Sequence, residues 1–383
     1  MPTADPLVVV GSGLAGWTLI REFRKLDGDS RIVLVTADGG DFYSKPMLSN
    51  ALAQGKTAAQ LVTTPAEPMA AQWKVTLLKG AKVSRIRPQG RRIELHGSEA
   101  EQPYAKLVLA LGADPIRLPL TGDAAGEVLS VNDLNDYRIF REHLEGVETV
   151  AILGGGLIGC EFANDLAGAG YRVTVIDPSP YPLAGLLPEP AGKALLEPLG
   201  RLGITWVFGK AVQAVDRANS GCRLTLGDAS TLPAERVLSA VGLRPRTALA
   251  AEAGLACKRG IVVDRTLQTR DPHIFALGDC AEIDGQVRPY VLPIMHAAKA
   301  LAQTLAGQPA EVAFPPMPVV VKTPACPVAV LPVARDAAGA WQTEAGENGV
   351  RMRFLTPDGR LIGFALTGGR VAERMAMTRL LAS

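Results

Sequence analysis

The 383 residues are 48% hydrophobic and 20% charged, an ordinary balance for a folded α/β protein and enough chain for two or three domains with full cores. Forty basic residues against 38 acidic ones leave a net charge of +2, which argues against a nucleic-acid binder. No apolar stretch reaches the roughly 18 residues of a membrane span, and the opening Met-Pro-Thr-Ala-Asp-Pro has no cationic leader, so a cytoplasmic protein is expected. The five cysteines (Cys160, Cys222, Cys257, Cys280 and Cys326) form no Cys-x-x-Cys or Cys-x4-Cys pair, which argues against a zinc site and a dithiol redox centre. No histidine sits at metal-ligand spacing.

Leu7–Gly16 reads Leu-Val-Val-Val-Gly-Ser-Gly-Leu-Ala-Gly. Strand formers enter a turn with glycines at 11, 13 and 16, and a helical pattern leaves it with Leu19, Phe23 and Leu26 on one face. In such a loop the first glycine permits the tight turn, the second lets a pyrophosphate approach the backbone, and the third lets helix and strand pack closely. The helix N-terminus adds unpaired N–H groups and a positive dipole end. Gly11, Gly13, Leu14, Ala15 and Gly16 are therefore expected to hold a dinucleotide. Arg31–Thr36 is a second strand, whose end is where an acid holds the adenosine ribose. The nearest acid is Asp38, two positions late, which also reads as a turn residue beside Gly39 and Gly40. Lys45 follows on the loop after that strand, where a lysine either approaches the cofactor or is merely solvated.

Lys74–Val83 and Arg91–Leu95 look like strands that complete the first half. Leu107–Pro115 is a buried strand running into a Gly/Pro loop, as where a chain crosses between domains. Thr149–Asp177 then repeats the opening device: a strand, Gly154-Gly-Gly-Leu-Ile-Gly159, a helix over Cys160–Ala169, and a strand Arg172–Ile176 ending on Asp177. Asp177 follows Gly154 by 23 residues, close to the spacing of about 20 for a ribose-binding acid. A carboxylate there accepts from both hydroxyls of an NAD ribose and repels a 2′-phosphate, so NADH is favoured over NADPH. Arg236–Leu249 reads as the return crossing. His273–Glu282 is a buried strand ending in Gly278-Asp279, which puts the aspartate at the carboxyl edge of the sheet, where ligands bind. A helix opens at Pro293, and Gln308–Pro332 reads as a proline-rich linker. Val350–Leu355, Leu361–Leu366 and a final helix make a small α+β domain.

Two nucleotide folds, one interrupting the other, with a C-terminal α/β piece, resemble the FAD/NAD flavoproteins of the glutathione-reductase-like pyridine nucleotide-disulfide oxidoreductase family. The resemblance covers essentially the whole chain. It implies an α/β fold of two Rossmann-like nucleotide-binding domains, an NAD domain (117–245) inserted in a discontinuous FAD domain (1–116 and 246–314), plus a small α+β C-terminal domain (315–383). Gly11–Gly16 looks like the FAD loop, Gly154–Gly159 like the NAD loop, and His273–Glu282 like the second FAD motif, whose aspartate, here Asp279, hydrogen-bonds the ribityl chain. Tyr43-Ser-Lys-Pro-Met-Leu-Ser49, Gly156-Leu-Ile-Gly-Cys-Glu-Phe-Ala-Asn-Asp-Leu166 and Val321-Lys-Thr-Pro-Ala-Cys-Pro327 are similar to the rubredoxin-reducing branch of that family. By that resemblance Lys45 and Glu161 form an ion pair beside the flavin ring. Val83 and Val291 contact FAD through the backbone, and Lys322 approaches the ring's pyrimidine end. The resemblance further implies that Ala37, Pro46, Ala110, Gly112, Gly242 and Gly278 line the cofactor sites, with Gly154, Gly156, Leu157, Ile158 and Gly159 in the second loop. Two positions depart from the pattern: Leu111 stands where many relatives have threonine, and Arg246 where asparagine is common.

Asp41–Leu61 contains no cysteine, whereas disulfide reductases of this fold carry a redox pair there and related oxidases a single thiol. Electrons then have no protein thiol to leave by. The implied activity is hydride transfer from NADH to a tight, non-covalent FAD, then single electrons to rubredoxin, supplying an oxygenase such as an alkane hydroxylase. The helix from Pro293 would aim its positive end at the pyrimidine, and a basic rim drawing on Lys45, Arg117, Arg244 and Arg246 would receive the acidic carrier. Glu161 also reads as a first-turn carboxylate favoured by the helix dipole, and His296 as a surface or capping residue. The other readings are a reductase of a ferredoxin or flavorubredoxin, a direct NADH oxidase, and a non-catalytic FAD/NAD-binding interaction protein. A monomer is expected, with no metal, nucleic-acid or membrane partner.

Overall fold

Leu7–Val10 and Ile32–Val35 are buried at every position, as unbroken apolar runs must be when both faces of a parallel sheet are covered. They belong to a five-stranded parallel sheet in the order Ile274–Ala276, Lys106–Leu109, Leu7–Val10, Ile32–Val35, Val75–Leu78. The computed structural model describes residues 5–334 and 336–382, and these fall into two compact units.

The first unit comprises Met1–Lys45, Val62–Asp114 and Leu243–Phe314 and contains this sheet. The helix Leu14–Arg24 buries Trp17, Leu19, Ile20 and Phe23, each worth roughly 1.5–3 kcal/mol when removed from water. Leu26 does not extend that face. The helix stops at Arg24 because Asp27 turns the chain, accepting from the backbone N–H of Asp29 and Ser30, and Leu26 is left half exposed. The helix Val291–Leu305 packs against Leu14–Arg24 and starts two residues before the expected proline. A small antiparallel sheet of Val83–Arg87, Arg92–Leu95 and Glu101–Pro103 completes the unit.

The second unit comprises Pro46–Leu61, Pro115–Gly242 and Pro315–Ser383. Its parallel sheet runs Thr205–Phe208, Arg172–Asp177, Thr149–Leu153, Arg236–Ser239, beside an antiparallel meander of Val212–Ala218, Gly221–Leu226 and Thr231–Ala234. The C-terminal residues form a five-stranded antiparallel sheet in the order Val319–Val321, Val328–Leu331, Leu361–Thr367, Gly349–Leu355, Ala340–Gly346, with the helix Arg374–Ala382 packing Met377 onto Ala329, Phe364 and Leu366. Gln308–Pro332 is therefore not a plain linker, since two strands of that sheet lie within it.

Candidate functional site

The first fingerprint is a cradle in which two glycines are required by the protein and one is not. Gly11 has φ +109°, and a Cβ there would sit 2.2 Å from the Ala110 carbonyl oxygen. A Cβ on Gly16 would lie 1.9 Å from the carbonyl oxygen of Gly11. Gly13 has φ −64°, open to any residue, and a Cβ would meet nothing within 4 Å. The second fingerprint repeats this pattern. Gly154 has φ +104° and would clash with the Ala240 carbonyl oxygen at 2.8 Å, Gly159 would strike Gly154 O at 1.9 Å, and Gly156, with φ −77°, again faces open space.

Neither fold geometry nor packing requires glycine at 13 or 156; this is the position of a dinucleotide fingerprint where the pyrophosphate approaches the backbone. Both glycines are N-caps without a side-chain cap, and neither following helix has an acidic residue in its first turn. The first N–H groups of each helix are thus left for an anion such as a dinucleotide pyrophosphate. The residues fit two such groups, one per unit.

In the first unit Gly278, at φ +81°, brings its Cα close under Ala15 of the loop, 2.9 Å from where a Cβ would stand. Asp279 follows, just past the carboxyl end of the strand Ile274–Ala276. Burial pushes its carboxyl up, and the Lys45 ammonium opposes the shift. Asp38, two residues late in sequence, folds back on its turn. Its Oδ1 accepts from Thr36 Oγ1 (2.6 Å), Ser12 Oγ (3.1 Å) and Gly40 N (2.9 Å), tying the strand end to the phosphate loop. Ser12 and Thr36 also share a 2.8 Å hydroxyl contact. Ala37 is exposed, Val83 and Ala110 are buried, and Val291 opens its helix with its side chain exposed. Gly112, at φ +73°, accepts from Arg246 N at 3.0 Å. Arg246 is held by Asp114 (2.6 Å) and the Leu111 carbonyl, so its charge is already compensated and it adds little to a basic rim. His296 is exposed.

In the second unit Asp177 Oδ2 accepts from Gly155 N at 2.5 Å and Oδ1 from Ser179 N at 2.6 Å. The same carboxylate that faces a ribose in this kind of fold here also shapes the loop. Gly242 turns the chain at φ +113° and its carbonyl accepts from Ile116 N at 3.0 Å. The helix Leu157–Gly168 starts immediately after Gly156, three residues earlier than expected. Glu161 therefore lies beyond its first turn, and the dipole reading of this residue is wrong.

Glu161 is instead 2% exposed and fully engaged. It accepts from Ser49 Oγ (2.5 Å), Lys322 N (2.8 Å) and Lys322 Nζ (2.8 Å). On the same helix face, Asp165 accepts from Leu52 N (2.8 Å) and Ala53 N (3.0 Å), and Asn164 Oδ1 from Ala325 N (3.1 Å). Lys322 Nζ also donates to the Pro46 carbonyl at 2.6 Å. Three polar side chains at i, i+3 and i+4 thus hold two distant segments, 46–53 and 322–325. Sequence reasoning missed Ser49, Asn164 and Asp165. The available signal was a polar strip on an otherwise apolar helix.

Burial raises all five thiols, Cys280 to about 12. Among the described residues no cluster of His, Cys, Asp and Glu is arranged to hold a metal, and no helix is long and apolar enough to cross a membrane.

Comparison with known proteins agrees with this geometry. Residues 5–304 match the family model for pyridine nucleotide-disulphide oxidoreductase, and residues 311–381 match a rubredoxin binding C-terminal domain. The chain is 51% identical to a rubredoxin-NAD(+) reductase of Alcanivorax borkumensis, over 98% of both chains. It is 45% identical to a rubredoxin-NAD(+) reductase of Acinetobacter baylyi, over 98% of this chain and 97% of that one. Its fold superimposes on a ferredoxin reductase of Rhodopseudomonas palustris with a TM-score of 0.88 at 25% identity, covering 97% and 93% of the two chains. With one family model spanning most of its length and full-length relatives well above 30% identity, the chain belongs to the pyridine nucleotide-disulphide oxidoreductase family.

Proposed function

We propose that the chain carries electrons from NADH through FAD to a rubredoxin. What carries this reading is the pair of cradles, each with a middle glycine free of protein contact where a dinucleotide would approach the backbone, in a chain with no cysteine between Asp41 and Leu61. The match of residues 311–381 to a rubredoxin binding domain supports the choice of acceptor.

FAD bound there would supply a hydride acceptor for NADH that can release electrons singly to an iron carrier. The chain's own residues bind, orient and tune. The loop Gly11–Gly16 and the first N–H groups of its helix would hold the FAD pyrophosphate, and Asp279 would accept from the ribityl hydroxyls. The loop Gly154–Gly159 holds the NADH pyrophosphate, and Asp177 accepts from the adenosine ribose while repelling a 2′-phosphate. The family resemblance gives Lys45, Glu161 and Lys322 roles beside the flavin; in the structure Glu161 pairs with Lys322 at 2.8 Å. Ala37, Pro46, Val83, Ala110, Gly112, Gly242 and Val291 complete the cofactor sites through backbone and contact.

The test is a carrier screen at steady state. Fast NADH consumption with rubredoxin, slow consumption with NADPH, and little with oxygen alone is the expected result. Equal rates with oxygen alone identify an oxidase instead, and preference for a ferredoxin moves the reading to the neighbouring reductase.

A further inference from the structure

The carboxyl edge of the second unit's parallel sheet carries a cation that no motif announced. Asp177 ends the strand Arg172–Asp177, and its register partner on the neighbouring strand is Phe208. The chain leaving Phe208 folds against the turn at Asp177. Gly209 N donates to the Ser179 carbonyl at 3.2 Å, and Lys210 N to the Asp177 carbonyl at 3.4 Å. The topology thus sets a lysine, a point charge on a flexible four-carbon stem, beside the residue that discriminates against a 2′-phosphate. Its ammonium is engaged elsewhere. Nζ lies 2.6 Å from Asp228 Oδ2 and 3.4 Å from Ser230 Oγ. Asp228 is itself fixed in the turn between Gly221–Leu226 and Thr231–Ala234, its Oδ1 accepting from Ser230 Oγ (2.5 Å) and Ser230 N (3.2 Å). Gly227 N ties that turn to the lysine's own segment by donating to the Ala211 carbonyl at 3.0 Å. Lys210 and Ser230 hold the Asp228 carboxyl well below the ordinary aspartate range, so the anchor is charged at neutral pH.

We propose that Asp228 is a specificity-determining residue for the nicotinamide cofactor: it withholds Lys210 from the ribose edge, so that a 2′-phosphate arriving there meets the Asp177 carboxylate and no compensating cation. This rests on the reading of Gly154–Gly159 and Asp177 as the NADH site. A 2′-phosphate brings negative charge and acceptor oxygens, for which an ammonium is a suitable partner. The Lys210 side chain is 37% exposed, and an exposed ion pair is only weakly held, so releasing it needs no repacking. NADH carries no 2′-phosphate and gains nothing from the lysine. The preference is therefore set by two carboxylates, Asp177 repelling the phosphate and Asp228 removing its partner.

The test is equilibrium binding of NAD+ and NADP+ to the FAD-loaded protein by calorimetry, read beside the KM values for NADH and NADPH. Asp228→Asn keeps an amide oxygen for Ser230 N and removes the charge that holds Lys210. It is expected to tighten NADP+ binding about three- to fivefold, the scale of one exposed charge pair, without tightening NAD+. Lys210→Met alone should leave the NADP+ constant where it is, and in the Asp228→Asn background it should abolish the gain. The gain should also fade with added salt. Unchanged NADP+ affinity in Asp228→Asn, or a gain that survives Lys210→Met, overturns the proposal and leaves the NADH site standing. Asp177→Ala weakens NAD+ binding if the ribose lies at this edge. If it does not, the assignment of the second loop falls, and this inference with it.

Discussion

Gly13 and Gly16 differ by three positions, yet substituting them should produce opposite failures. Gly16→Ala drives a methyl group into the Gly11 carbonyl, and such overpacking costs about 1–3 kcal/mol or more. The expected outcome is a lower melting temperature or no folded protein. Gly13→Ala meets no protein atom, so it folds with an unchanged melting temperature for the FAD-free protein. Its FAD dissociation constant rises at least about tenfold, roughly 1.4 kcal/mol, because the methyl group takes the place of the pyrophosphate. Gly156→Ala does the same to the KM for NADH and leaves FAD bound. Flavin titration and steady-state kinetics separate the two loops directly. Asp177→Ala removes charge-assisted hydrogen bonds worth about 1.5–3 kcal/mol, so KM for NADH should rise about 10–100-fold without loss of FAD. Loss of FAD in place of that rise reverses the assignment of the loops. The two glycine loops were legible because each fingerprint packs its glycines into six consecutive positions. Ser49 was not, because its partner Glu161 is 112 residues away and nothing local marks a serine as a donor to it.

The helix Leu157–Gly168 does two jobs, presenting the second loop at its start and holding segments 46–53 and 322–325 along one face. Asp165 gives this element a pH signature. Burial raises its carboxyl above the ordinary aspartate range, and the N–H groups of Ala53 and Leu52 only partly offset this. The native state therefore keeps a proton on Asp165 at pH values where the unfolded chain has lost it. Stability contributed at this site is greatest at low pH and falls as pH rises from the unfolded value near 3.9 through the raised folded value. Asp165→Asn cannot titrate, so the melting temperature of that variant, followed against pH, loses this downward component relative to the unsubstituted protein. An identical pH profile for the two proteins contradicts the assignment. The C-terminal sheet shows why some elements escaped the sequence. Pro318, Pro327 and Pro332 flank the strands Val319–Val321 and Val328–Leu331, so the stretch reads as proline-rich loop. Proline is in fact admitted at strand ends and edges, where no ladder N–H is needed. By contrast, Gly349–Leu355 alternates buried and less buried residues and was readable as a strand.

For the whole molecule, the two repeated strand–loop–helix devices made the fold legible, since each is a local pattern with a fixed spacing to its acid. The grouping of residues 46–61 with the second unit was not legible, because it depends on side-chain contacts made by Glu161 and Asp165 across more than a hundred residues. One consequence applies to the entire electron path. With every thiol raised by burial and Cys280 near 12, alkylating reagents at neutral pH should leave NADH-to-rubredoxin electron transfer unchanged, and inhibition that tracks modification of one cysteine contradicts a thiol-free path. The most direct test of the central claim is an anaerobic stopped-flow experiment on the FAD-loaded protein. Mixing with NADH should bleach the flavin absorbance in a single rapid phase, and subsequent mixing with oxidised rubredoxin should restore it with two rubredoxins reduced per flavin. A flavin that stays oxidised with NADH, or one that bleaches but is not reoxidised by rubredoxin, contradicts the account.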